Sequence, residues 1–106
     1  MQNQLNKGQQ KRLIYIEYKS GEIEGHKARV GWVTFSKSGK SIYYRNLMFS
    51  PIKGGGISGN YFCETLEGEF WISGIKKRGS NAHWAEYVNI HIDTDAVEAY
   101  NEIKAS

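Results

Sequence analysis

One cysteine and one proline stand among the 106 residues of this chain. A lone Cys63 excludes an intrachain disulfide and any zinc site built from several cysteines. The scarcity of proline, with 12 glycines falling mostly at turns, argues for folded β structure over a low-complexity linker. No apolar run approaches the length of a membrane span. Residues 1–12 lack the apolar core of a secretory signal. These absences lead to the expectation of a soluble, cytoplasmic protein. Also missing are a Gly-x-Ser-x-Gly elbow, a catalytic carboxylate pair and a cofactor fingerprint, so neither enzymatic activity nor a cofactor is expected.

What is present is aromatic and basic. Aromatic residues make up 13% of the chain, and Tyr and Trp are favoured where a surface is half buried or meets a partner. The formal net charge is +3, but it is unevenly spread. Residues 1–53 hold ten Lys or Arg against three Glu, whereas residues 54–106 hold four against eight acids. Such asymmetry fits a basic face that meets nucleic acid or an acidic partner, and equally a set of solvated turns that happen to differ in composition.

Periodicity predicts strands at 13–19, 28–37, 41–48, 61–65, 69–77 and 87–92. Residues 1–11 are expected to be a disordered tail ahead of a single domain over 12–106. Ile14, Ile16 and Tyr18 share one face of the first strand, and Val88, Ile90 and Ile92 one face of the last. Asp95, three residues before Glu98, makes a capping-box-like start to a helix over 96–103, with Val97, Tyr100 and Ile103 facing the sheet. The fold class expected is mainly β: a small SH3-like or OB-like antiparallel barrel of about six strands with a short C-terminal helix. Several strands carry apolar side chains on both faces, as at Trp71 and Ile72, so the outer face needs a cover of helix, partner or ligand.

Most local motifs dissolve on inspection. Gly39-Lys40-Ser41 imitates a phosphate-binding loop, but the required upstream glycine is Thr34 and a strand follows, so a hairpin turn is expected. The glycine-rich stretch 53–60 lets backbone approach an anion, or is a flexible connector. His26, His83 and His91 have no metal-site spacing, so no metal is expected. Cys63 sits in a predicted strand, where a cysteine usually behaves as a small buried hydrophobe.

One segment stands out, residues 69–84. Lys76, Lys77 and Arg78 are suited to phosphates or an acidic surface. Asn81 and His83 are suited to hydrogen bonding, and Trp71 or Trp84 to stacking. The competing reading is a solvated basic hairpin, with Trp84 plugging the barrel and Ser80-Asn81 making the turn. The function expected is a non-enzymatic module that contacts RNA or single-stranded DNA through this basic-aromatic loop. The alternative is a protein-interaction module of immunity-like or regulatory type; a homo-oligomer stays open.

The pattern Phe70-Trp71-Ile72-Ser73-Gly74 … Lys76-Lys77-x-Gly79-Ser80-Asn81-x-His83-Trp84, followed by Ile90-His91-Ile92-Asp93 and opened by Leu13–Glu17, resembles a group of short bacterial proteins with no established activity. The resemblance spans most of residues 12–103 and implies no catalytic residue. Some small proteins of this kind are called 1-deoxy-D-xylulose-5-phosphate synthase. Members of that thiamine-diphosphate family are several times longer and hold metal and diphosphate with a Gly-Asp-Gly…Asn segment, and this chain contains no Gly-Asp-Gly.

Overall fold

The computed structural model describes residues 11–81 and 88–106. The expected tail thus lies outside the described residues, apart from Lys11. Seven strands form in chain order: β1 (Arg12–Tyr18), β2 (Ala28–Phe35), β3 (Ile42–Tyr44), β4 (Leu47–Pro51), β5 (Tyr61–Cys63), β6 (Gly68–Gly74) and β7 (Ile90–Ile92). A 3-10 turn, Thr94–Ala96, leads into helix α1 (Val97–Ala105).

The strands run β1-β6-β5-β4-β3-β2-β7, and a β1–β2 pairing closes the first six into a barrel. Closure removes the exposed edges that an open sheet of this size would present. Every pairing in the ring is antiparallel. The seventh strand sits outside the ring, parallel to β2, with Ala28 beside Ile90 and Val30 beside Ile92.

Besides strands that end two or three residues early, as at Phe35, Cys63 and Gly74, the expected strand list is changed in two places. The run at 41–48 is two strands, because Arg45 takes a left-handed φ of 56° and turns the chain. The last strand is shorter than its alternation implied and lies beside the barrel, so the ring is completed by β3 and β4 instead.

Strand alternation builds two cores. Inward side chains of β1 and β6, Ile14, Ile16, Phe70 and Ile72, meet Val33, Ile42, Tyr44, Phe49 and Cys63 inside the barrel. Phe70 is fully buried, stacks on Tyr18 at 4.4 Å between centroids and meets Phe49 edge-on at 4.8 Å. Cys63 is fully buried among these apolar groups. Outward side chains of the same strands, Leu13 and Tyr15, join Ala28, Val30, Val88 and Ala96 in a second core. Trp32, Trp71, Tyr100 and Ile103 pack at its margin. The helix therefore supplies the cover that two-sided strands demanded. Val97 points outward, at 41% exposure, because Ala96, Ala99, Tyr100 and Ile103 form the packed face. The helix begins without a side-chain cap.

A buried polar network pins the helix start to the barrel. Arg29 donates to the Tyr44 hydroxyl at 3.2 Å, to Asp93 at 3.3 Å and to the Ile23 carbonyl at 3.0 Å. Tyr44 donates to Asp93 Oδ2 at 2.5 Å, and Arg45 pairs with Asp93 at 3.2 Å. Burial, reinforced by the Asp93 hydrogen bond, pushes the Tyr44 hydroxyl up to about 12. Gly31 makes room for this network: a Cβ there would lie 2.6 Å from the Tyr44 ring and collide with the Asp93 carboxylate.

Candidate nucleic-acid interface

An antiparallel barrel sends successive connections to alternate ends. Here β1 starts beside the end of β2, since Arg12 pairs with Val33, and beside the end of β6, since Ile14 pairs with Gly74. Segments 36–41, 52–60 and 75–81 therefore emerge at the same end as Lys11 and Arg12. Segments 19–27, 45–46 and 64–67 emerge at the other.

The two ends differ in charge. The first carries Lys11, Arg12, Lys37, Lys40, Lys53, Lys76, Lys77 and Arg78, all exposed, and among the described residues its three connecting segments contain no Asp or Glu. The second mixes Glu22, Glu24, Glu64 and Glu67 with Lys19, Lys27 and Arg45. The ion pairs sit away from the basic end: among the described residues they engage Lys19, Arg29 and Arg45, as in Lys19–Glu17 at 2.6 Å and Arg45–Glu24 at 3.2 Å. Among the described residues no carboxylate pairs with the basic cluster.

Each loop at the basic end is built to hold its shape. In 36–41, Gly39 takes a φ of 81° and Ser36 caps the turn, its Oγ accepting from the Ser41 N–H at 3.0 Å. This is the hairpin expected in place of a phosphate loop. In 52–60, the glycine-rich backbone does wrap an anion, and the anion is internal. Glu69 accepts the N–H groups of Ser58 at 2.7 Å, Gly59 at 2.8 Å and Ile57 at 3.3 Å. Gly56 lets the carboxylate come this close, since a Cβ there would lie 2.5 Å from Glu69 Oε1.

Those backbone donors, Ser58 first, hold the Glu69 carboxyl below its ordinary value of 4.5. A depressed folded-state value means that the loop's anchorage is complete above about pH 4.5 and is lost as pH falls through the folded value. Glu69→Gln is expected to speed amide hydrogen exchange at Ser58 and Gly59 several-fold at neutral pH, while β1 and β2 amides stay protected. Unchanged exchange at those two amides would show that the carboxylate does not hold the loop.

Residues 75–81 are shaped by Asn81. Its Oδ1 accepts the Lys76 N–H at 3.2 Å, and its Nδ2 donates to the Gly74 carbonyl at 2.7 Å and to Ser73 Oγ at 3.4 Å. At 4% exposure, Asn81 is engaged on both sides of its amide within the loop. Lys76, Lys77 and Arg78 are presented outward by this staple. Lys104 of α1 donates to the Gly79 carbonyl at 3.0 Å, which ties the helix end to the same loop.

Trp71 is half buried at the margin of the second core, so it is a packing residue more than an open platform. His83 and Trp84 lie outside the described residues. Sequence reasoning passed over Trp32, whose Nε1 donates to the Asp95 carbonyl at 3.0 Å while Lys11 Nζ lies 5.7 Å over its ring. The aromatic-cation pairing of Trp32 with Lys11 was visible only once β1 and β2 were placed side by side.

His26 and His91 stack at 4.6 Å, with His26 Nδ1 buried and lacking a hydrogen-bond partner among the described residues. Among the described residues no group of three His, Cys, Asp or Glu side chains is placed to hold a metal ion. A cleft of about 230 Å³ at the mixed end is lined by Glu22, Glu24, Arg45 and Leu66, and its Arg45 is already committed to Asp93 and Glu24. Among the described residues no helix is long and apolar enough to cross a membrane. No protein-family model, curated protein or solved structure matches this chain.

Proposed function

We propose that this protein is a non-enzymatic binding module for single-stranded nucleic acid, engaged through the basic end of its barrel. The observation that carries the reading is the collection of exposed cations from three separate loops and the start of β1 at one end, none of them paired with a carboxylate among the described residues. Clustered like charges repel one another in the free protein, and a polyanion relieves that repulsion while releasing its own counterions. A single strand suits the surface better than a duplex. The described helix carries Glu98 and Glu102, so it is a poor major-groove reader, whereas loops and aromatics can follow an unstacked strand.

The test is fluorescence anisotropy of a labelled mixed-sequence single-stranded RNA, with a duplex of equal length as competitor. Saturable micromolar binding that the duplex competes poorly is expected. Absence of binding at low salt with excess protein would overturn the reading.

A second reading is favoured by a different observation. Tyr43, Met48 and Phe62, exposed at 38%, 46% and 39%, sit on neighbouring strands, with Tyr43 directly opposite Met48. Such a patch suits a protein partner. Met48→Asp would abolish partner capture or self-association and leave RNA binding intact if this face docks protein.

A further inference from the structure

Beside the basic end, an open groove of about 480 Å³ runs between the barrel and α1. Lys11, Arg12, Trp32, Ile75, Ala99 and Ile103 are among its lining residues. Its volume lies within the roughly 300–1,000 Å³ typical of ligand sites. Building on the proposed function, we infer that this groove receives one unstacked nucleobase of the bound strand, with Trp32 as its stacking platform.

Three observations converge. First, the Trp32 ring is held: its indole N–H donates to the Asp95 carbonyl at 3.0 Å, and the side chain packs against the second core. A fixed platform loses little freedom when a base stacks on it. Second, one ring face is open enough for Lys11 Nζ to lie over it at 5.7 Å. A base takes that face, and the ammonium swings a short distance to the attached phosphate.

Third, charge around the groove is polarised in the way a nucleotide requires. Lys11 and Arg12 flank one side; Glu102 lies on the helix side and repels phosphate. The backbone therefore passes along the Lys11–Arg12 side, while Ile75, Ala99 and Ile103 offer an apolar wall to the base. The groove is continuous with the loop that carries Lys76–Arg78, since Gly74 and Ile75 line it and Lys104, next to Ile103, anchors on Gly79.

Methyl and amide NMR of the wild-type chain during titration with a short single-stranded RNA tests this directly. Ring-current shifts at the methyl groups of Ala99, Ile75 and Ile103, together with amide shifts in 76–79, are expected. Trp32→Leu should weaken RNA binding about tenfold, consistent with the loss of one base–aromatic stack, and leave the salt slope unchanged. Trp32→Phe, which keeps a ring, should stay within about threefold of wild type. Far-ultraviolet circular dichroism checks that both variants are folded, and the wild-type titration stands whether or not they are. Shifts confined to 36–41, 52–60 and 76–79 would overturn the base site and leave the basic-end reading intact. No shift anywhere, with no anisotropy change, would overturn both.

Discussion

Asp93→Ala is expected to remove about 3–5 kcal/mol of folding stability, the range for breaking a buried charge network from one side. The substitution leaves the Arg29 guanidinium, 5% exposed, without its carboxylate, and leaves the Tyr44 hydroxyl without its acceptor. Arg45 loses a partner as well, and its left-handed φ of 56° is then supported only by Glu24 and the Tyr44 ring. Small domains hold about 5–15 kcal/mol in total, so the variant would sit near the limit of folding at 37 °C. Asp93→Asn, which keeps shape and one acceptor oxygen, should lose less.

Urea denaturation checks this: the midpoint should fall sharply while the slope stays near the wild-type value. A loss below about 1 kcal/mol would mean that the network is ornamental, and that the helix is held by apolar packing alone. The same network contributes to stability at alkaline pH. Because Tyr44 is raised in the folded state to about 12 from its ordinary 10.0, its contribution is complete below pH 10 and disappears as pH rises through about 12.

The second large effect concerns binding. The triple reversal Lys76→Glu, Lys77→Glu and Arg78→Glu is expected to weaken single-stranded RNA binding about hundredfold at moderate salt, with an unchanged urea midpoint. The three side chains are exposed, and the loop beneath them is held by the Asn81 amide and by Lys104, none of which the reversal touches. Reversal also places acids among Lys11, Arg12, Lys37 and Lys53, so it converts an attractive end into a mixed one. Equal binding by wild type and reversal would mean that phosphates are met elsewhere, and the exposed Tyr43–Met48–Phe62 face would become the surface to examine.

The sequence made the barrel legible wherever alternation was clean. Trp71 and Ile72 on opposite faces foretold a strand packed on both sides, and Cys63 in a predicted strand foretold a core position. It could not show where the chain turns without glycine. Arg45-Asn46 breaks a continuous-looking strand because contacts from Asp93 and Glu24, distant in sequence, stabilise a backbone geometry that Arg rarely adopts. Nor could it show that the glycine-rich loop carries its own anion, since Glu69 follows the amides it satisfies by ten or more residues and reaches them only through the β5–β6 pairing.

The charge asymmetry was legible as a contrast between halves of the chain, whereas the molecule sorts it by barrel end. Lys37 and Lys40 from the first half and Lys76–Arg78 from the second share one end because alternate connections of an antiparallel ring do. Trp71 drew attention as an aromatic beside basic residues; its place at the edge of the second core follows from strand parity, and Trp32 emerges as a tryptophan with a cation over its face.

The most direct test is the salt dependence of single-stranded RNA affinity for the wild type and for the neutral variant Lys76→Ala, Lys77→Ala, Arg78→Ala. An interface at the basic end predicts a linear fall of log affinity with log salt, and a slope reduced in magnitude by about 2 in the variant, since each phosphate contact on a single strand contributes about 0.7. Wild-type binding that ignores salt, or an identical slope in the variant, would contradict it.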